Sequence, residues 1–180
     1  MRKKWLIFDI IVFLVIGAAL LIYDTMHSVN IGEKNIFDGP LIGQSLPYFK
    51  LPDISGEERS YQSLLDDEAD IKIINFFASW CKGCWVEHSF LTAINENLTI
   101  PIYGFAWNDK EDELEHFLNE HGNPYKSVIA ITDDSDFANK LGLKYIPMSF
   151  IIDKNNKIIA HFQGTINAEN FNYFLNKQAK

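Results

Sequence analysis

Residues 71–84, IKIINFFASWCKGC, constrain the fold more than any other stretch of the chain. The segment 71–77 is a nearly continuous apolar run rich in isoleucine and phenylalanine, without the strict alternation of a half-exposed strand. Such a run predicts a central strand covered on both faces. Two cysteines, Cys81 and Cys84, follow at once, and residues 82–97 carry helical spacing. A buried strand that feeds directly into a helix requires further elements on both sides of a sheet.

The rest of the chain supplies them. The segments YFKLPDI and ERSYQSL, either side of SGE, read as a short strand pair. IPIYGFAW at 100–107 reads as a second buried strand, and DKEDELEHFLNEHG as a helix opened by a capping aspartate, Asp109, and stopped at Gly122 before Pro124. SVIAI is a short strand and DSDFANKLG a short helix ending at Gly142. MSFIID, KNN and KIIAHFQG form a hairpin, and NAENFNYFLNKQ closes the chain as a helix. Strands alternating with helices and finishing in a hairpin imply a three-layer α/β domain.

The first 23 residues are a different object. Arg2, Lys3 and Lys4 precede an apolar run over 5–23, interrupted only by Asp9. Nineteen helical residues span about 28 Å, close to one bilayer core. The basic tip at 1–4 places the N-terminus inside, so the chain after Tyr23 is exported. A cleaved signal peptide is the competing reading, but the apolar run continues past the small residues Gly17-Ala18-Ala19. Residues 24–40 are polar and aperiodic and read as a linker, leaving 41–180 as the folded domain. That domain carries 12 basic against 20 acidic residues, and the whole chain a charge of −8, so a nucleic-acid partner lacks its electrostatic footprint.

Several chemistries can use two cysteines separated by two residues. A bridge closing so small a loop restrains the unfolded chain little, so a purely structural staple is poorly motivated. A zinc site needs four ligands, and only Cys81, Cys84 and His88 are close in sequence. Haem attachment needs a histidine directly after the second cysteine, where Trp85 stands. Copper held by two thiolates and His88 stays open, as in a copper-delivery module. The redox reading fits the position best. Cys81 lies where a strand turns into a helix, and unpaired N–H groups there favour a thiolate. Lys82 adds a nearby positive charge, and Cys84, one turn in, is placed to attack a mixed disulfide formed at Cys81.

Positions 84, 87, 91, 94 and 98 are Cys, Glu, Leu, Ile and Leu, one helical face that is apolar apart from Glu87. On that face a carboxyl has a raised pKa and can take the proton that Cys84 must lose. At the rim of the stripe it reaches water instead. The spacing leaves both placements open.

At these residues the chain resembles the thioredoxin-like proteins, and more narrowly the DsbE/CcmG group of membrane-anchored thiol:disulfide interchange proteins of cytochrome c maturation. The resemblance rests on NFFASWCKGCWVEH, on LIGQSLPYFKL at the domain start, and on GF.WND, HGNPY and LGLKYIP further on. It implies a thioredoxin-like fold with an N-terminal strand pair, a central insertion near 108–125 and a single N-terminal transmembrane helix. It implies Cys81 as nucleophile, Cys84 as resolving thiol, and Glu87 as the family's active-site acid. Pro147, after Ile146, matches a cis-proline that faces the cysteines and pairs with the bound partner's backbone. Trp80 matches an aromatic shield beside the nucleophile.

Three positions depart from the pattern. Lys82-Gly83 stands where relatives usually carry a proline, so the reduction potential does not transfer from the family. Asn75 replaces the buried aspartate of thioredoxin itself, although this group also tends to asparagine. Met148 follows Pro147 where relatives often have an acidic residue. The expected function is therefore a dithiol–disulfide oxidoreductase on the periplasmic face of a bacterial inner membrane, working in the reducing direction. Its expected partners are apocytochrome c or a haem-ligation component, and a membrane electron donor of the DsbD/CcdA type. No metal or organic cofactor is required. The nearest alternatives are a general periplasmic thiol reductase and a peroxidase-like relative on the same fold.

Overall fold

The computed structural model describes residues 16–23 and 39–178. The chain divides between Lys34 and Asn35 into two units. In the first, residues 16–23 are helical. The expected membrane-spanning segment 5–23 lies mostly outside the described residues, as does most of the linker expected at 24–40. Among the described residues no helix is long and apolar enough to cross a membrane.

The second unit is built on a five-stranded sheet. In chain order its elements are β1 (Lys50–Pro52), β2 (Glu58–Ser60), α1 (Tyr61–Leu65), β3 (Ile71–Phe77), α2 (Lys82–Leu98), β4 (Ile102–Trp107) and α3 (Glu111–His121). β5 (Ser127–Ile131), α4 (Asp136–Lys140), β6 (Met148–Asp153), β7 (Ile158–Gln163) and α5 (Ala168–Gln178) complete it. The sheet order is β5-β4-β3-β6-β7, with β1 and β2 as a separate two-stranded sheet. β3, β4 and β5 run parallel, while β6 pairs antiparallel with both β3 and β7. The apolar run 71–77 is thus the central strand, as its composition requires.

Alternation along β3 sends side chains to two separate cores. Ile73 and Phe77 join Leu91, Ile94, Phe117, Phe171 and Phe174 under α2, α3 and α5. Ile74 and Phe76 join Phe49, Leu64, Phe105, Phe137 and Phe150 on the opposite face, beneath α1 and α4. The result is the expected three layers, helices on both sides of one sheet.

Two local expectations are corrected. The second strand of the N-terminal pair stops at Ser60, and the segment that follows is helical rather than extended. Ser60 and Ser63 form a reciprocal cap, each hydroxyl accepting the other's backbone N–H, which starts α1 at Tyr61. The helix after β4 is not capped by Asp109. Its N-cap is Lys110, whose ammonium has no acceptor for a capping bond, and the Asp109 carboxylate is engaged by Ser79.

Candidate active site

The site forms where β3 ends and α2 begins. Cys81 is the N-cap of α2, and its Sγ accepts the N–H of Cys84 at 3.2 Å. The two cysteines are joined as a disulfide, with Cα atoms 5.3 Å apart. Cys81 keeps 7% of its surface and Cys84 only 2%, so the sulfur closer to solvent belongs to the residue at the helix N-terminus. Lys82 is exposed between them.

Four hydrogen bonds hold the turn in front of the cysteines. Asp109, just after β4, accepts both the backbone N–H and the hydroxyl of Ser79, each at 2.6 Å. The Trp80 indole donates to the Asn108 carbonyl at 3.1 Å, leaving the ring half exposed beside the disulfide. The Trp85 indole donates back to the Ser79 carbonyl. The loop after β4 therefore fixes the two residues that precede Cys81. Sequence reasoning assigned Asp109 to its own helix and missed this, although the GF.WND motif had marked the spot.

Opposite the turn, Ile146-Pro147 is a cis peptide. Gly83 packs against it so closely that a Cβ on residue 83 would stand 3.1 Å from Pro147 Cδ. The glycine of the Lys82-Gly83 pair thus lets the proline close over the dithiol turn. Met148 points the other way, buried with the aromatic core beyond the sheet, so an acidic residue there would meet Phe76 and Phe150 rather than the cysteines.

Beneath the disulfide lies a closed polar network. Glu87, on the face of α2 that carries Cys84, is 1% exposed, so it does not reach water at the rim. One carboxylate oxygen accepts Asn75 Nδ2 at 2.8 Å and the other accepts the Ile166 N–H at 2.9 Å. Asn75 also donates to Ser149 Oγ at 2.9 Å, and its Oδ1 accepts the Tyr125 hydroxyl at 2.9 Å. Both groups bonded to Glu87 are donors and favour its charged form, but burial outweighs them and pushes its pKa up to about 8. Burial, and next the Glu87 charge, hold the Tyr125 phenol well above its ordinary range, so it stays a neutral donor.

Tyr125 and the Ile166 N–H are the parts that sequence reasoning missed. Tyr125 sits in the HGNPY motif but carried no assigned role. A backbone donor such as Ile166 leaves no side-chain signature at all. Gly104 explains the glycine of GF.WND, because a Cβ there would come within 2.8 Å of the Phe77 ring and 2.9 Å of Tyr125. Those two rings stack at 4.5 Å across the strand. A larger residue at 104 would push Tyr125 away from Asn75.

His88, the third ligand of the copper alternative, has Nε2 2.8 Å from the Gly122 carbonyl and packs edge-on against Phe117. Burial lowers its pKa, so the neutral ring donates to that carbonyl. Among the described residues no three His, Cys, Asp or Glu side chains gather as a metal site.

The arrangement joins a disulfide at a helix N-terminus, a facing cis-proline and a buried protonatable carboxyl one turn beyond Cys84 on the same helix face. These are the parts that thiol–disulfide exchange needs. Comparison with known proteins agrees. Residues 42–161 match the AhpC/TSA family. The thiol:disulfide interchange protein DsbE of Vibrio cholerae is 28% identical over 173 residues, covering 95% of this chain and 91% of that protein. HelX of Rhodobacter capsulatus, also a thiol:disulfide interchange protein, is 32% identical over 138 residues, 74% of each chain. Among solved structures, a putative DsbE from Chlorobium tepidum superposes with a TM-score of 0.63 at 20% identity, covering 77% of this chain and 96% of that one. That likeness supports the thioredoxin-like fold. The chain belongs to the AhpC/TSA family and, within it, to the DsbE-type thiol:disulfide interchange proteins, which are thiol–disulfide oxidoreductases.

Proposed function

We propose that the protein is a membrane-anchored reductant of the periplasmic face, acting on disulfides of apocytochrome c or of a haem-ligation component. In the dithiol form the Cys81 thiolate attacks a client disulfide, forming a mixed disulfide and releasing one client thiolate. The fraction of Glu87 that is ionised, kept in reach of neutral pH by a pKa of about 8, takes the Cys84 proton, and the Cys84 thiolate attacks Cys81 Sγ. The second client thiolate leaves, and the Cys81–Cys84 disulfide remains. Two electrons have passed to the client, and a membrane donor of the DsbD/CcdA type restores the dithiol. The observation that carries this reading is Glu87, buried one turn beyond Cys84 with a proton affinity at about pH 8. An ordinary thiol titrates near 8.5, so a proton passes between the two groups with little cost in either direction.

The cytochrome c assignment and the DsbD/CcdA donor rest on the resemblance to the DsbE/CcmG group. The anchor and the periplasmic placement rest on Arg2, Lys3 and Lys4 before the apolar run 5–23. Reduction in an oxidising compartment gives such a chain its task. A Cys84→Ser variant expressed in cells should trap a mixed disulfide through Cys81, with apocytochrome c or a haem-ligation protein as the captured chain. Capture of no partner would remove the exchange mechanism. The equilibrium potential against glutathione should fall near the thioredoxin end, about −270 mV, and a value near about −120 mV would make the protein an oxidant.

A further inference from the structure

Cys81 is delivered by a β-turn rather than by the strand itself. Its N–H bonds back to the Ala78 carbonyl at 3.1 Å, so Ser79 and Trp80 are the two central residues of that turn. They lie between the end of β3 at Phe77 and the start of α2 at Lys82, outside both hydrogen-bond ladders. Their polar groups are met from the loop after β4 instead. Half-buried Asp109 accepts the Ser79 N–H with Oδ2 and the Ser79 hydroxyl with Oδ1, and the Asn108 carbonyl accepts the Trp80 indole.

That bracket is itself anchored. Asn108 takes left-handed backbone, φ 48°, which asparagine adopts more readily than most residues. Its N–H is held by the Ile131 carbonyl of β5 at 2.9 Å, and Asp109 Oδ1 also accepts the N–H of Lys110 at 3.0 Å, where α3 begins. The turn before Cys81 thus rests on β5 and α3, which carry no part of the dithiol. What the turn decides is where Cys81 points. Cys81 is extended, φ −88° and ψ 104°, and its Sγ accepts the Cys84 N–H. That N–H and the helix dipole favour a thiolate only while the sulfur stays on the end of α2.

We propose that Asp109 is a positioning residue for thiol exchange: by gripping Ser79 at two points it fixes the turn that keeps Cys81 Sγ on the N-terminus of α2, and so favours the attacking thiolate. A simple charge effect has the opposite sign. A carboxylate bound to Ser79, two residues before Cys81, opposes a second negative charge, so loss of that charge alone makes the thiol more acidic. A clamp that serves stability only leaves the thiol as it was. The other ionisable groups near Cys81 in the chain are Lys82, Cys84 and Glu87, all on α2, and the facing Ile146-Pro147 pair adds no charge.

The inference rests on Cys81 being the attacking thiol, and its test separates the two. The reduced full-length protein and its Asp109→Asn and Ser79→Ala variants are alkylated with iodoacetamide across a pH series, and the label at each cysteine is read by peptide mass. Asp109→Asn keeps the side chain's size and loses its charge and one acceptor. Ser79→Ala keeps every charge and loses only the hydroxyl bond. The Cys81 midpoint should rise by about 0.5–1 pH unit in Asp109→Asn, slowing its labelling below the midpoint about three- to tenfold, and should rise less in Ser79→Ala. A midpoint that falls in Asp109→Asn, or that both variants leave in place, overturns the positioning role and leaves Cys81 as the attacking thiol. Label entering Cys84 before Cys81 in the unaltered protein overturns that reading and the positioning role together.

Discussion

The two faces of β3 are built from one strand and serve opposite ends. Toward α1 and α4, Phe76 stacks on Phe105 at 5.3 Å and meets Phe150 edge-on at 6.2 Å, with Phe137 closing the cluster. Toward α2, Asn75 sits between Ile73 and Phe77 and turns the same sheet into the floor of a polar network. The aromatic face gains from every apolar contact. The Asn75 face buries a carboxyl, an amide and a phenol, and satisfies them with one another. Both faces carry an apolar core, and only the Asn75 face also holds a proton at an unusual affinity.

Breaking the aromatic face should cost most. Phe105→Ala is expected to lower stability by about 3–5 kcal/mol in denaturant unfolding, because the rings around it cannot collapse into the space. It should leave the Glu87 titration in place, and a large shift of that titration would mean that the faces are not independent. Glu87→Gln probes the other side. Its folded pKa of about 8 lies above the ordinary 4.5, so the native state holds the extra proton between those values. Stability is therefore full below the unfolded pKa and is lost as pH rises through about 8, by an amount on the order of a few kcal/mol. Glu87→Gln should remove that slope and slow the resolution step, and an unchanged pH profile of stability would remove the buried charge from the energetics.

Smaller changes sharpen the comparison. Gly104→Ala forces a Cβ into the Phe77–Tyr125 stack and should cost about 1–3 kcal/mol while displacing the Tyr125 hydroxyl. Tyr125→Phe removes only the bond to Asn75 and should cost about 1 kcal/mol, with a change in the Glu87 midpoint and none in the aromatic face. If Gly104→Ala destabilised the protein without moving that midpoint, Tyr125 would be packing rather than part of the network.

The aromatic face was the easier one to read. A run such as IKIINFF announces a buried strand, and the cysteines after it announce a strand-to-helix turn. Spacing alone put Glu87 on the face of Cys84, but could not decide between burial and the rim. That depends on what covers the helix, here the loop before α5 that brings Ile166. Asp109 was misread because a local rule, the helix cap, competes with a tertiary bond to Ser79 thirty residues away. The start of α1 was misread because Tyr61 suits strand and helix alike, and the reciprocal serine cap decides for the helix. Gly104 and Gly83 were legible only as glycines. The close approach that excludes a side chain at 104, to Phe77 and Tyr125, and the tight one at 83, to Pro147, are features of the assembled fold.

The most direct test is to follow the Glu87 side-chain carboxyl by ¹³C NMR in the disulfide form, assigned by its loss in Glu87→Gln. A carboxyl held as a proton store beneath Cys84 should titrate with a midpoint at about pH 8. A midpoint near the ordinary 4.5 would show an ionised, solvated glutamate and contradict its role as the proton partner of Cys84.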